Sequence, residues 1–265
     1  MKIMILDNIK NRIGNFGGDI GISYIDLKSG QSSSTGNCDV FLASGSVKIM
    51  TLVEAFKRIE EGTLNKDDKY TLKETDYLNK GRVGVKTFGA LEHIHQGIEL
   101  TIEDLYKFSI TVSDNIAFNI LLKMFGTEEI NKTIKMLGYS KTKVHRAIYD
   151  SDKMNKGIEN LVSVQEMASL FYRMYKGQVI SRNASKNMLD ILKDHQKDSI
   201  IPYYFDESLQ VAHQTGYDDE LIMDMGIVYS ENPFVLCMAA SDSNTRNAES
   251  IMRDITLMCY RNSNR

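Results

Sequence analysis

The side chains best suited to chemistry lie in three short segments of the chain. Lys48 stands in the first turn of an apolar helix, where a lysine opposes the helix dipole and is costly to bury without polar partners. Ser113 and Asn115 lie at the junction before a second apolar helix. The third segment is residues 213–216, His-Gln-Thr-Gly, at the end of a predicted strand. If they converge, an amine, a hydroxyl and an amide could form the polar floor of one pocket, where the amine could act as a base.

Each of these segments also has a purely structural explanation. Lysine stems often follow an apolar surface so that the amine reaches solvent. Ser-Asp-Asn before a helix suits a tight turn and an N-cap. Residues 213–216 could be a strand that runs into a turn. Taken singly, none of the three identifies a function, because short motifs recur by chance.

The composition is that of an ordinary globular protein. The chain has 265 residues, of which 42% are hydrophobic and 25% charged, so it suits one large domain or two lobes that share a core. Its formal net charge is -3, and it has no basic tract or basic-aromatic run. We therefore do not expect nucleic-acid binding.

The cysteines and the paired histidines do not indicate a metal site. Cys38, Cys237 and Cys259 lack metal-ligand spacing and are best explained as reduced, mostly buried thiols. His93 and His95 alternate, but no third ligand is evident near them, so we expect polar positions of a turn. No metal and no other cofactor is predicted.

The N-terminal residues bear on the location of the protein. Asp7, Asn8 and Lys10 interrupt the first apolar run before it reaches the length of a signal peptide. Nothing later in the chain approaches a membrane-spanning stretch. The sequence therefore predicts a cytoplasmic protein without a membrane span, or an extracytoplasmic one if a leader has been removed.

The ends of the chain carry the predicted strands. Apolar spacing predicts a helix over residues 3–15, and alternation predicts two early strands joined by a turn at residues 28–31. These strands need partners, because an isolated hairpin is marginally stable. The partners are predicted near the C-terminus, where three strands and a last helix lie at Leu209–Gln214, Leu221–Tyr229, Pro233–Ala240 and about 245–261.

The middle of the chain is helical in character. Helices are predicted at Ile49–Ile59, after the N-cap Thr101, at Asn115–Phe125 and after the N-cap Ser163. This order predicts an α+β fold: a five-stranded antiparallel sheet flanked by N- and C-terminal helices, with an inserted all-helical lobe. A single domain would cover residues 1–265, with the sheet lobe at about 1–43 and 205–265 and the helical lobe at about 44–204.

Together and in this order, the three segments resemble the motifs of class A β-lactamases and related penicillin-binding serine hydrolases. That family carries Ser-x-x-Lys at a helix start, Ser-Asp-Asn on a helical loop and Lys-Thr-Gly on a strand. The likeness runs from about Gly18 to the C-terminal helix and includes residues 91–105, 110–121, 157–167, 211–216 and 224–229. It implies a DD-peptidase/β-lactamase-like fold with a cleft for a small-molecule or peptide ligand of β-lactam-like or D-Ala type.

The resemblance also implies a set of site residues. The catalytic positions correspond to Gly45, Lys48, Ser113 and Asn115, and the substrate-binding positions to Gln214, Thr215, Gly216 and Tyr217. The backbone N–H groups of Gly45 and Tyr217 would form the oxyanion hole, which glycine supplies as well as serine does.

Position 45 departs from the family at the nucleophile. With Lys48 as the motif lysine, the attacking serine should stand three residues earlier, where this chain has glycine. Phe41 and Ala43 match the Phe-x-Ala lead-in of the family and hold that register. Two serines flank the gap. We expect Ser44 to be the N-cap of the helix and Ser46 to point away from Lys48.

Further departures remove charged groups. Gln214 replaces the lysine of Lys-Thr-Gly, and Met225 replaces an arginine often found before the glycine of the next strand. Arg146 is followed by Ala-Ile-Tyr-Asp, without the glutamate that activates the deacylating water in class A enzymes. Glu166 is no substitute, because we expect it to be the capping-box partner of Ser163.

These departures leave three hypotheses open. The first is a degenerate member that binds a ligand, peptide or partner without turnover. The second is a hydrolase of β-lactams, esters or peptides whose serine has been replaced by glycine, although one replacement explains only one of the losses. The third is an enzyme that acts through a shifted nucleophile such as Ser44. Fold and function can separate in this way, so the sequence leaves catalysis undecided.

Overall fold

A computed structural model describes residues 2–14, 16–77 and 88–263 of the chain. The described helices are α1 (Lys2–Ile13), α2 (Lys48–Glu60), α3 (Ile102–Thr111), α4 (Asn115–Phe125), α5 (Thr127–Met136), α6 (Ser151–Met154), α7 (Val164–Tyr175), α8 (Arg182–Lys193) and α9 (Thr245–Ser263). The described strands are β1 (Asp19–Asp26), β2 (Ser32–Gly36), β3 (Val40–Leu42), β4 (Lys69–Thr71), β5 (Glu99–Thr101), β6 (Leu161–Ser163), β7 (Val211–Asp218), β8 (Leu221–Val228) and β9 (Phe234–Ser241). Single 3-10 turns lie at Ser44–Val47, Glu74–Asp76 and Leu91–His93.

Strands from both ends of the chain form one antiparallel sheet. Its order is β2-β1-β9-β8-β7, so β1 finds its partner β9 more than two hundred residues later in the sequence. Strand β8 pairs with both β9 and β7. The predicted five-stranded antiparallel sheet of an α+β fold is therefore confirmed. Strand β7 lies at one edge, where it contacts the 3-10 turn at Ser44–Val47.

Alternate side chains of the sheet enter two separate cores. On β8, Met223 and Met225 belong to the core shared with the helical block, whereas Ile222 and Val228 belong to the core beneath α1 and α9. This division follows from the two-residue period of a strand. Helix α7 packs against β1 and β9 on the first face, and α1 and α9 contact each other on the second. Because β8 is covered on both faces, its sequence is a nearly continuous apolar run.

The helical block is built around α2 and begins its helices where the sequence predicts. Helix α2 packs against α3, α4, α5 and α8. Thr101 caps α3 in a capping box, Asp114 caps α4, and Ser163 caps α7. Among the described helices, none has the length and hydropathy needed to cross a bilayer. The division of the domain near residues 43–44 and 204–205 stays a prediction.

Strand β7 is longer than predicted, and this changes the place of residues 213–216. The predicted strand ends at Gln214, but pairing with β8 continues to Asp218, which lies opposite Leu221. The turn is therefore the two residues 219–220, as in a tight hairpin. A Cβ at Gly216 would lie 2.7 Å from Met223 Cγ, so this glycine serves close packing and not a turn.

Candidate active site

Ser44 holds the turn before α2 against β7. Its φ of 42° lies in the left-handed region, which is uncommon for a serine. Its hydroxyl donates a 2.7 Å hydrogen bond to the backbone carbonyl of Tyr217. The prediction that Ser44 is an N-cap is therefore wrong, since Val47 occupies the N-cap position of α2. The 3-10 turn inserts before the helix and places Ser44 outside its first turn. The hydroxyl of Ser46 donates to Ala43 O instead.

Lys48 is buried and fully partnered. Its side chain enters the protein, with a relative exposure of 1%, and does not reach solvent along the surface. The Nζ donates to Ser113 O, Ser113 Oγ and Asn115 Oδ1 at 2.7, 2.8 and 2.7 Å. Burial lowers the pKa of Lys48 to about 7, with Asp114 opposing that effect and Lys197 adding to it. The amine is therefore close to its titration point at neutral pH.

The segment before α4 is shaped to present Ser113 and Asn115 to this amine. Ser113 has a φ of 53°, a second left-handed serine at the site. Between them, Asp114 turns its carboxylate inward, where it accepts from Ala117 N at 2.8 Å and Leu91 N at 2.7 Å. Because Asp114 provides the N-cap, its two neighbours are free to face the lysine.

Gly45 lies among these groups. A Cβ at this position would lie 3.4 Å from Ser113 Oγ, 3.1 Å from Thr215 O and 3.7 Å from Gly216 Cα. Since Lys48 Nζ is bonded to the same Ser113 hydroxyl, a side chain at residue 45 would enter the lysine network. The structure thus brings three segments into one place: the turn before α2, the Ser-Asp-Asn segment and β7. The 3.1 Å approach is tight, so any side chain here would require a small shift of β7 or of the turn.

The outer edge of β7 offers backbone groups to the same point. The carbonyl of Thr215 faces Gly45, and the carbonyl of Tyr217 accepts from Ser44. In a strand, the N–H and C=O of one residue point to the same edge, and those of the next residue to the other. The N–H of Tyr217 therefore projects from β7 towards residues 44–45. This is the direction that an oxyanion donor at Tyr217 requires.

Gln214 and Met225, where the resemblance leads us to expect cations, lie opposite each other on β7 and β8. Gln214 is paired in register with Met225, and each has a relative exposure of 1%. Gln214 Nε2 donates to Thr215 O at 3.4 Å. Its Oε1 has no hydrogen-bond partner among the described residues. A buried, neutral amide with an unused acceptor therefore stands where a lysine is expected.

Two buried histidines lie behind the cleft. His213 Nδ1 donates to Asp224 Oδ1 at 2.8 Å. Burial alone would lower the pKa of His213, but Asp224 and Asp198 outweigh it and raise the pKa to about 9. The ring of His195 packs edge-on at 4.7 Å, and burial together with the charge of His213 lowers its pKa to about 4. At neutral pH a charged His213 therefore lies against a neutral His195.

The neutral His195 fixes the direction in which the Thr215 hydroxyl donates its proton. His195 Nδ1 must carry the proton that it donates to Ile110 O at 2.7 Å, because a carbonyl only accepts. Its Nε2 is then an acceptor, and the Thr215 hydroxyl, 3.0 Å away, donates to it. The single hydroxyl proton of Thr215 is thus directed at His195 and not at a ligand.

Tyr149 approaches the site in the region where class A enzymes carry a glutamate. The base of this loop is held by Arg146, whose Nε donates to Glu159 at 2.8 Å. Tyr149 has a φ of 67°, and its hydroxyl accepts a 3.1 Å hydrogen bond from Asn115 Nδ2. Burial raises the pKa of Tyr149 above its usual range. The phenol therefore stays protonated at neutral pH and does not act as a base towards water.

Glu166 is occupied elsewhere, and only part of its predicted role holds. Ser163 Oγ accepts from Glu166 N at 3.2 Å, as a helix cap should. The carboxylate does not return to Ser163 N, which donates to Thr142 Oγ1 instead. It accepts the three N–H groups of residues 140–142 at 2.7 to 2.9 Å. The predicted hydrogen bond from Ser163 N to the Glu166 carboxylate is therefore wrong, because three converging N–H donors bind the carboxylate better than one.

Several groups at the site have little or no sequence signal. Asp224 could have been noticed as a lone acid in an apolar strand, and it is 0% exposed. Lys197 comes from a loop with no motif, yet its ammonium lies 3.3 Å from the ring centroid of Tyr217. His93 and His95 are exposed on a turn, and no group of three or more metal-ligand side chains converges within residues 2–14, 16–77 and 88–263.

Several known proteins with related sequences are β-lactamases. Residues 5–262 match the Beta-lactamase enzyme family. Beta-lactamase BRO-1 of Moraxella catarrhalis is 21% identical over 220 residues, which are 82% of this chain and 68% of that protein. Beta-lactamase VEB-1 of Pseudomonas aeruginosa is 23% identical over 202 residues, which are 74% of this chain and 66% of that protein. The chain thus spans about two thirds of the length of these relatives.

Solved structures share the fold along nearly the whole chain. A β-lactamase from Chitinophaga pinensis superposes with a TM-score of 0.88 at 18% identity, covering 98% of this chain and 99% of that chain. PBP-A superposes with a TM-score of 0.85 at 22% identity, covering 98% of this chain and 95% of that chain. Since the family match extends from residue 5 to residue 262, the protein belongs to the β-lactamase enzyme family.

Proposed function

We propose that this protein binds a β-lactam-like or D-Ala-type ligand in the cleft without turning it over. The observation that carries the proposal is Gly45, which occupies the place where the attacking side chain would meet the Lys48–Ser113 pair. A Cβ there would lie only 3.1 Å from Thr215 O, so β7 packs closely against the glycine. Without an attacking atom, acyl transfer does not begin, however well the remaining groups are placed.

The groups that remain are those that bind. The N–H of Tyr217 points towards residue 45 and can donate to a ligand carbonyl, as oxyanion-hole amides do. Gln214 offers an unused acceptor, and Ser113 keeps its hydroxyl beside Lys48. A variant of PBP-A has been solved as an acyl-enzyme complex with penicillin G, which supports a penicillin as the class of ligand to test.

More than one step of turnover is affected. Gln214 and Met225 are uncharged at positions where the resemblance leads us to expect cations that bind the substrate. Tyr149, and not a water-activating glutamate, approaches Asn115 from the loop after Arg146. Losing the nucleophile alone removes most of the rate of such a catalytic unit. The separate losses support a member that is adapted to binding over a hydrolase that differs at one position.

One observation favours the two alternative hypotheses, a hydrolase whose serine has been replaced by glycine and an enzyme that acts through Ser44. Lys48 keeps three close partners and has a pKa of about 7, which suits a general base. Ser44, however, donates its hydroxyl proton to Tyr217 O, and attack from Ser44 would require that this hydrogen bond breaks.

Benzylpenicillin tests the proposal directly. After long incubation, intact-protein mass spectrometry should show no penicilloyl adduct, while amide NMR shifts at residues 45, 113 and 214–217 should report reversible binding. An adduct on Ser44 or Ser46 would contradict the proposal. The variants Ser44→Ala and Ser46→Ala then identify the attacking serine, because only one of them would abolish the adduct. Absence of any NMR shift would show that the cleft does not accept this ligand.

A further inference from the structure

The carboxylate side of the cleft has lost its usual donors. Gln214 carries no charge, and its Nε2 is directed at Thr215 O. The Thr215 hydroxyl donates its proton to His195 Nε2 at 3.0 Å. Met225, opposite Gln214, is apolar. A ligand with a carboxylate therefore finds no charged donor and no free hydroxyl proton on this part of β7 and β8.

Lys197 brings a cation to the same place from another element. Its ammonium lies 3.3 Å from the ring centroid of Tyr217, on β7, and 5.3 Å from that of Phe88. Phe88 belongs to the opposite wall, where its carbonyl accepts the N–H of Asn115 at 2.9 Å. The preceding residue, Gln196, is anchored to Thr111 through a 2.9 Å backbone hydrogen bond. The lysine is thus held between the two walls of the cleft.

This ammonium faces rings and no described carboxylate within salt-bridge distance. Within residues 2–14, 16–77 and 88–263, no carboxylate oxygen lies within 4.0 Å of Lys197 Nζ. The side chain is half-buried, and this burial lowers the pKa of Lys197 to about 8, with Glu249 and Asp224 opposing the effect from a distance. The charge of Lys197 in turn contributes to the lowered pKa of Lys48. A partly desolvated cation of this kind gains from an anionic partner more than a solvated one does.

We propose that Lys197 binds the carboxylate of the ligand, in place of the lysine that Gln214 has replaced. The positive charge that contacts the ligand then comes from the loop between α8 and β7, and not from strand β7. Tyr217 positions it through its ring face, and the unused Oε1 of Gln214 remains to accept a hydrogen bond from a neutral donor of the ligand. This inference rests on the proposed function, because it assigns a residue to the same bound ligand.

The experiment compares two forms of one probe, benzylpenicillin and its methyl ester, which differ only in the carboxylate charge. Dissociation constants are measured by NMR titration of the wild-type chain and of Lys197→Met, which keeps the packing on Tyr217. Lys193→Met is the matched control, because Lys193 also lies over a tyrosine ring, 4.8 Å from the centroid of Tyr229, outside the cleft. Melting temperatures show that each variant is folded, and Lys197→Arg provides a second variant that retains the charge.

The wild-type chain and Lys193→Met should bind the acid about tenfold more tightly than the ester, as a charge-assisted contact predicts. Lys197→Met should bind both forms equally, at the affinity of the ester. Lys197→Arg should keep the preference, and Gln214→Lys added to Lys197→Met should restore it. Equal binding of acid and ester by the wild-type chain would overturn the role of Lys197 and leave the proposed ligand in place. Failure of both forms to bind the wild-type chain would overturn the proposed function and this inference together.

Discussion

Lys48 Nζ donates a 2.8 Å hydrogen bond to Ser113 Oγ, although the residue that this pair would serve, residue 45, has no side chain. The pair has a structural reason to persist. The amine is buried, and an amine without its three acceptors would be an unsatisfied polar group in the core. Packing alone is therefore a sufficient reason for the amine and the hydroxyl to stay together beside a glycine.

Gly45→Ser should restore slow acylation by penicillins. The new hydroxyl would lie beside Ser113 Oγ and Lys48, whose pKa of about 7 allows it to accept the proton. Deacylation should lag behind acylation by about 100-fold or more, because the described part of the chain places Tyr149, and not a glutamate, beside Asn115. Intact-protein mass spectrometry should therefore show a penicilloyl adduct that accumulates and persists.

The matched control for this result is Glu166→Gln in the Gly45→Ser background. Glu166 binds the N–H groups of residues 140–142 and is not expected to touch the acyl-enzyme. The lifetime of the adduct should be the same in both proteins. Rapid turnover by Gly45→Ser alone would show that another residue activates water and would favour the hydrolase alternative.

Adding Gln214→Lys to Gly45→Ser should speed acylation by about tenfold, because a second cation then joins Lys197 at the substrate carboxylate. The rate of deacylation should change little, since the lysine does not approach the attacking water. Stopped-flow measurement of adduct formation and a separate chase of the adduct distinguish the two rates. If even the double variant forms no adduct, the geometry of the cleft does not support acylation, and the protein is a binding protein only.

Ser113→Gly should be more stable than Ser113→Ala, by about 1 kcal/mol. Both variants lose the hydroxyl contact with Lys48, but only glycine relieves the φ of 53° at this position. Urea denaturation of the two variants measures the difference. Ser109 is the control, because it is buried within helix α3 and should show the ordinary order, with alanine more stable than glycine by about 1 kcal/mol. The same order at both positions would contradict the assigned backbone strain.

His213 should stabilise the fold below neutral pH and lose this effect in alkali. The folded residue holds its proton up to a pKa of about 9, whereas the unfolded residue releases it near 6.5. The contribution is therefore complete below pH 6.5 and disappears as the pH rises through 9. The partners that face His213 are Asp224, Asp198 and the neutral ring of His195.

The variant His213→Asn isolates this contribution. Its deficit in unfolding free energy relative to the wild-type chain should shrink by about 3 kcal/mol between pH 6 and pH 10. Chemical denaturation at a series of pH values provides the measurement. His95→Asn, at an exposed turn, should show no comparable change. A deficit for His213→Asn that stays constant with pH would contradict a charged His213 in the folded state.

The sequence by itself determined the family and the α+β layout, and it placed a glycine three residues before Lys48. Local patterns carry that information: apolar periodicity marked the elements, caps such as Thr101 and Ser163 marked helix starts, and the register of Lys48 located Gly45. These features depend on near neighbours along the chain, so one sequence is enough to identify them. The extent of β7 was missed, because glycine and threonine in a strand resemble a turn until the partner strand is known.

Only the tertiary structure decided how the polar groups are used. The Glu166 carboxylate does not complete the predicted capping box, because it accepts three N–H groups of another segment. Ser44 is not the predicted helix N-cap, because its hydroxyl donates to the Tyr217 carbonyl on β7. The pKa of Lys48 and the cation at Lys197 likewise depend on burial and on side chains far away in sequence. Hydrogen bonds and charges respond to whatever the fold brings within a few ångströms, and no local pattern in the chain records those distances.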